Sequence, residues 1–220
     1  MADAKKGDSF MRQNRIKKFL TAVLSGILVL SLSGCGQTAK LPEEVVNTSL
    51  VVEKDGKVIS YLVNTFDKDF YSLDGLEEMV KNEAEEFNAA HTDTPEEAMT
   101  VKSVQALGDG VMVQVVQEFD SADSYAEYNE QNLFYGTRVE ALAQGNPVNM
   151  ELVNAADGTP ADPDKLEKAL EKGHLIITDA SAFIYCPYPV LYISEGVVMG
   201  EDGYVDASQS DGVVTILMKK

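Results

Sequence analysis

The chain has 220 residues, 45% of them hydrophobic and 25% charged, a balance that supports a folded core and excludes disorder throughout. With 36 acidic against 18 basic side chains the formal net charge is −18. A surface this acidic repels phosphate backbones and anionic headgroups, which argues against nucleic-acid binding and against a domain lying flat on a membrane.

The chain opens on the polar stretch MADAKKGDSF. A better-formed start follows at Met11, which is the expected initiation site. Arg12, Arg15, Lys17 and Lys18 form a basic region, and Phe19 to Leu32 follow it without a charge. That run is shorter than the roughly 20 helical residues a bilayer core requires, so it reads as the apolar region of a secretory signal. It closes on Leu32-Ser33-Gly34-Cys35, an aliphatic residue, two small ones and a cysteine. This box resembles the lipobox of bacterial lipoproteins, and the resemblance covers residues 11–35.

The resemblance implies that the Cys35 thiol receives a diacylglyceryl group, that residues 1–34 are removed, and that Cys35 becomes the first mature residue. Two acyl chains, at ~0.8 kcal/mol per buried CH₂, hold a protein stably without a membrane-spanning helix. The expected location is the extracytoplasmic face of the cell membrane. Residues 1–35 contain six basic and two acidic side chains, so the mature chain carries −22. With Cys35 acylated, Cys186 has no partner for an intramolecular disulfide.

A short polar tether is expected over residues 36–42, followed by one acidic domain over 43–220 with a candidate sub-boundary at 145–162. Residues 48–64 have the alternation and central Asp55-Gly56 of a β-hairpin. From Ser72, an N-cap, Leu76, Met79, Val80, Ala84 and Phe87 fall on one helical face. A second apolar pair of runs surrounds Asp109-Gly110, and the stretch after it again opens on serine, with Tyr125, Tyr128 and Leu133 near helical spacing. This suggests a duplicated β-β-α unit, although any two hairpins with Asp-Gly turns resemble each other. Gly145 and Pro147 mark a helix end, and a further helix has Asp162 as N-cap, Pro163 at its first position and Gly173 past its end. After His174 come four short runs rich in Ile, Val and Tyr, separated by turns that include Glu201-Asp202-Gly203 and Ser210-Asp211-Gly212. The expected class is α+β with a largely antiparallel sheet.

Few residues point to chemistry. His91 and His174 each follow a helix, where a cation favours the helix C-terminus for stability alone. Cys186, in FIYCPYPV, sits in an apolar run that suits an inert core thiol better than a nucleophile with His174 as base. No zinc signature, EF-hand loop or phosphate-binding glycine pattern occurs. Asp157, Asp162, Asp164 and Glu167, and separately Glu201, Asp202 and Asp206, are weak calcium candidates, since turns and helix caps use the same residues. Phe183, Tyr185, Tyr188 and Tyr192 cluster as core or contact residues. Catalytic residues and cofactors are expected to be absent, the Cys35 lipid apart. The expected function is non-enzymatic binding of a protein or small ligand. A carboxylate hydrolase and a structural or assembly component of an envelope complex are the alternatives.

Overall fold

Strands β1 (Ser49–Val52) and β2 (Val58–Thr65) form the first hairpin. Its turn closes through Glu53 N–H to Lys57 O (2.8 Å) and Gly56 N–H to Glu53 O (3.1 Å). Gly56 has φ +95°, a conformation that side chains with a Cβ avoid, which is why Asp-Gly sits there. These coordinates come from a computed structural model that describes residues 39–68, 71–92, 96–108 and 110–220. The signal region, the Leu32–Cys35 box and Asp109 lie outside them.

Helix α1 (Leu73–Ala90) begins where Ser72 Oγ accepts from Gly75 N–H. It buries Val80 and Ala84, whereas Met79, expected on the same face, is 49% exposed. The second hairpin is β3 (Met99–Leu107) and β4 (Met112–Phe119), followed by α2 (Ala122–Asn129) capped by Ser121. The β-β-α succession therefore occurs twice. The hairpins join through antiparallel β2 and β4, with Val58 opposite Phe119 and Thr65 opposite Met112. Each strand's first residue faces the other's last, as a local two-fold axis between them requires. The helices do not share that relation: α1 packs on β3, whereas α2 packs on β4 and on β5 (Leu133–Gly136). Leu133, expected at helical spacing, belongs to that strand instead, because the left-handed Glu130 (φ 51°) ends α2 first.

After β5 come α3 (Arg138–Ala143), β6 (Leu152–Asn154), α4 (Pro163–Leu170), β7 (His174–Thr178), β8 (Phe183–Tyr185), β9 (Val190–Ser194), β10 (Val198–Met199), β11 (Val205–Asp206) and β12 (Val214–Met218). A seven-stranded sheet has the order β10-β11-β8-β1-β2-β4-β3, and a five-stranded sheet the order β5-β7-β12-β9-β6. Among the described residues every strand pairing is antiparallel except β1 with β8. The class is α+β with a largely antiparallel architecture.

The two sheets share one core. Leu50, Val58, Met99, Phe119 and Ile184 of the larger sheet meet Leu133, Ile176, Ile193, Ile216 and Met218 of the smaller. The smaller sheet's other face forms a second core, in which Phe134, Ile177 and Leu217 pack under Ala141 of α3 and Leu166 and Leu170 of α4. Its central strands are buried on both faces, which explains the unbroken apolar runs LIIT and VTILM. Each fully buried Ile or Leu there contributes about 1.5–3 kcal/mol relative to exposure. The layers therefore run from the larger sheet through the smaller sheet to α3 and α4.

Candidate functional site

The outer face of the larger sheet carries the alternate residues of its strands. Registers place Val51, Ile59, Tyr61, Val116, Gln114, Phe183 and Tyr185 on that side, opposite the core-facing Leu50, Val58 and Ile184. Residues 39–45 cross this face as a strap. Val45 is buried, and Gln114 Nε2 donates to its carbonyl at 2.6 Å. At the other end, the position a Cβ would take on Gly203 lies 3.6 Å from Ala39 Cα. Residues 39–42, the described part of the expected tether, thus lie along the sheet.

The strap has a cleft on each side. On one side a groove of about 530 Å³ is walled by Ala39 and Leu41, floored by Val51, Tyr185 and Pro187, and rimmed by Glu53, Lys54 and Asp55 of the first turn. On the other, about 290 Å³ separates Leu41, Glu43 and Glu44 from Tyr61, Gln105 and Val116. The larger groove is shallow and open, apolar at its base and charged at its edge, which suits contact with a ligand more than enclosure of a reaction.

Aromatic rings cluster beside the groove. Tyr204 stacks on Phe183 with centroids 4.6 Å apart and leans on Tyr185 at 5.6 Å. Burial raises the Tyr185 phenol above its ordinary value, helped by Tyr204 and Asp202. Beyond Pro187, Lys54 Nζ stands 5.6 Å over the Tyr188 ring, and Tyr188 and Tyr135 flank His174. Burial raises Tyr135 as well, with Tyr188 adding to it. Burial and then the Lys220 ammonium, 3.0 Å from Nε2, hold His174 below the ordinary imidazole value. His174 therefore sits in a strand among tyrosines, and the expected helix-end role does not apply to it.

Most of the residues singled out for chemistry have structural tasks. Burial pushes the Cys186 thiol up to about 12; its Sγ lies 4.0 Å from Ile184 O, and it belongs to the shared core. A protonated, buried sulfur is a poor nucleophile. His91 caps α1, its Nδ1 2.8 Å from Phe87 O and its Nε2 3.1 Å from Glu127. Asp162 accepts from Lys165 N–H and begins α4, and Asp164 lies in that helix's first turn. Asp157 accepts from Thr159 N–H and Oγ1, Asp206 from Ser208 N–H and Oγ, and Glu167 pairs with Arg138. Glu201 and Asp202 are exposed in the β10–β11 turn. Among the described residues no group of three or more His, Cys, Asp or Glu is placed to hold a metal ion, and no helix is long and apolar enough to cross a membrane.

Sequence reasoning marked Tyr185 and Tyr188 but missed the strap and Tyr204. Ala39, Val51, Tyr185 and Tyr204 are far apart in the chain and meet only through the β1–β8 pairing, for which no local signal exists. No protein-family model, curated protein or solved structure matches the chain.

Proposed function

We propose that the protein is a lipoprotein of the extracytoplasmic face of a bacterial cell membrane, held by a diacylglyceryl group on Cys35, and that its acidic domain binds a protein or small ligand without transforming it. The observation that carries this reading is the groove walled by Ala39 and Leu41, whose chain leads back to Cys35 within a few residues. The groove offers apolar contact from Leu41, Val51, Tyr185 and Pro187 and a rim of charge for orientation, the composition of a binding surface. The cysteine thiol beneath it is protonated, His91 is bonded to Phe87 and Glu127, and His174 contacts the Lys220 ammonium.

Two measurements test the two halves. Metabolic labelling with an alkyne palmitate analogue should mark the wild type and not Cys35→Ala; equal labelling of both overturns the anchor. A photo-crosslinking residue at Leu41 should give a discrete adduct in intact membranes that is lost in Tyr185→Ala. Turnover of cell-wall material with no such adduct overturns the binding assignment in favour of a hydrolase.

A further inference from the structure

We infer that the strap fixes how the domain stands on the bilayer: the strap-bearing face of the larger sheet, with the groove and the β10–β11 turn, faces the lipid, and α3 points away from it. This rests on the lipid anchor proposed for Cys35 and adds an orientation to it.

The argument is one of lengths. Four peptide units separate Cys35 from Ala39, and fully extended they span about 14 Å. Ala39 is seated against Gly203 on the outer face of the larger sheet. Behind that face come the second sheet and then α3 and α4. Stacked sheets lie about 10 Å apart and a helix adds about 10 Å, so the outer side of α3 is more than about 20 Å behind the strap. A leash of about 14 Å cannot pass around a body that thick. The strap-bearing face therefore cannot turn away from the bilayer while the strap is seated.

Charge sets the stand-off. The mature chain carries −22, with Glu43, Glu44, Glu53, Asp55, Glu201 and Asp202 on or beside this face and Lys40 and Lys54 opposing them. Repulsion from anionic headgroups falls off over about 8 Å at physiological salt, inside the reach of the leash. The domain is held near the end of its leash instead of flat on the surface, and the groove opens into the layer just above the headgroups. The exposed apolar residues of α3, Val139 (77%) and Leu142 (58%), face the other way and make no lipid contact.

The test uses the processed protein, purified from membranes and reconstituted into phosphatidylcholine vesicles with an energy-transfer acceptor on the headgroups. A donor is attached to Glu201→Cys or to Val139→Cys; Cys186 is buried, and a lipidated Cys35 has no free thiol. Transfer should be at least about two-fold greater at 201 than at 139, given the layer thickness. Val45→Asp and Gln114→Leu, which unseat the strap, lengthen the leash to the fourteen residues before Ser49, about 48 Å, and should abolish the difference. Equal or reversed transfer with a lipid mass on Cys35 overturns the orientation and leaves the anchor standing. A difference that persists in both strap variants overturns the strap as its cause. A second donor label on an unmodified Cys35 overturns the anchor, and the orientation with it.

Discussion

The side chain of Asn88, in the last turn of α1, pairs with the backbone of Met99 as a neighbouring strand would. Its Nδ2 donates to Met99 O at 2.8 Å, and its Oδ1 accepts from Met99 N–H at 2.9 Å. Met99 is fully buried and begins β3, the edge of the larger sheet. The amide satisfies two backbone groups that no strand reaches, and two residues on, the register shifts between Val101 and Ser103, leaving Lys102 to guard the rest of the edge. Asn88→Ala strands both groups and should cost about 1–3 kcal/mol in urea unfolding. Asn88→Asp keeps an acceptor, loses the donor, and should fall between the two. An alanine variant with an unchanged midpoint would show that water replaces the amide.

The two histidines should give opposite pH slopes. Bonding to Phe87 O and then to Glu127, with Asp120 nearby, raises His91 above 6.5. Its contribution is complete below the unfolded value and is lost as pH rises through the higher folded value. His174 is lowered, chiefly by burial and then by Lys220, with the Gly173 backbone and Glu140 opposing them. The folded state resists protonating it, so stability falls as pH drops from 6.5 through the lower folded value. Unfolding midpoints should peak near pH 6.5. His91→Gln should flatten the alkaline side, and His174→Gln the acid side. A wild-type profile that only rises would contradict the His91 assignment, and one that only falls would contradict the His174 assignment.

What could be read in the sequence was local chemistry. Asp55-Gly56, Ser72, and Asp162 with Pro163 announce a turn and two helix starts because each satisfies a backbone need within four residues, and each holds. Where two outcomes share one pattern, the reading failed: Tyr125, Tyr128 and Leu133 suit a helix, yet the chain turns at Glu130 and Leu133 enters β5. The groove could not be read at all. Its floor requires parallel β1–β8 pairing, Val51 beside Tyr185, across more than half the domain. Residues 36–42 read as a tether because the stretch is short and polar, and no side chain of 39–42 is buried even though they lie along the sheet.

Cys186 should behave as an inert thiol. Its sulfur is buried in the shared core, and desolvation pushes its pKa up to about 12. At pH 8 a maleimide should leave Cys186 unmodified in the native protein and add one label to it in concentrated urea, as peptide mass will show. Cys186→Ala should cost of order 1–2 kcal/mol through lost packing while the Leu41 photo-adduct persists. Rapid native labelling would instead place the thiol at the groove surface.

Gly173 tests how tightly α4 meets the smaller sheet. The sequence places Gly173 just past the helix end, and Gly173 is not among the glycines with positive φ. Its role is close approach. A Cβ there would lie 2.5 Å from Met218 O, 2.8 Å from Ala169 O and 2.8 Å from Leu217 Cδ1, and two of these neighbours are backbone that cannot swing aside. Gly173→Ala must push α4 from β12 or distort the strand carrying Leu217 and Met218, which are both fully buried. Overpacking of this kind costs about 1–3 kcal/mol. Gly212→Ala is the matched control, since nothing lies within 4 Å of its added methyl, and it should stay within about 0.5 kcal/mol of wild type. Equal unfolding midpoints for the two variants would mean that the α4–β12 contact yields, and that the second core is looser than its burial implies.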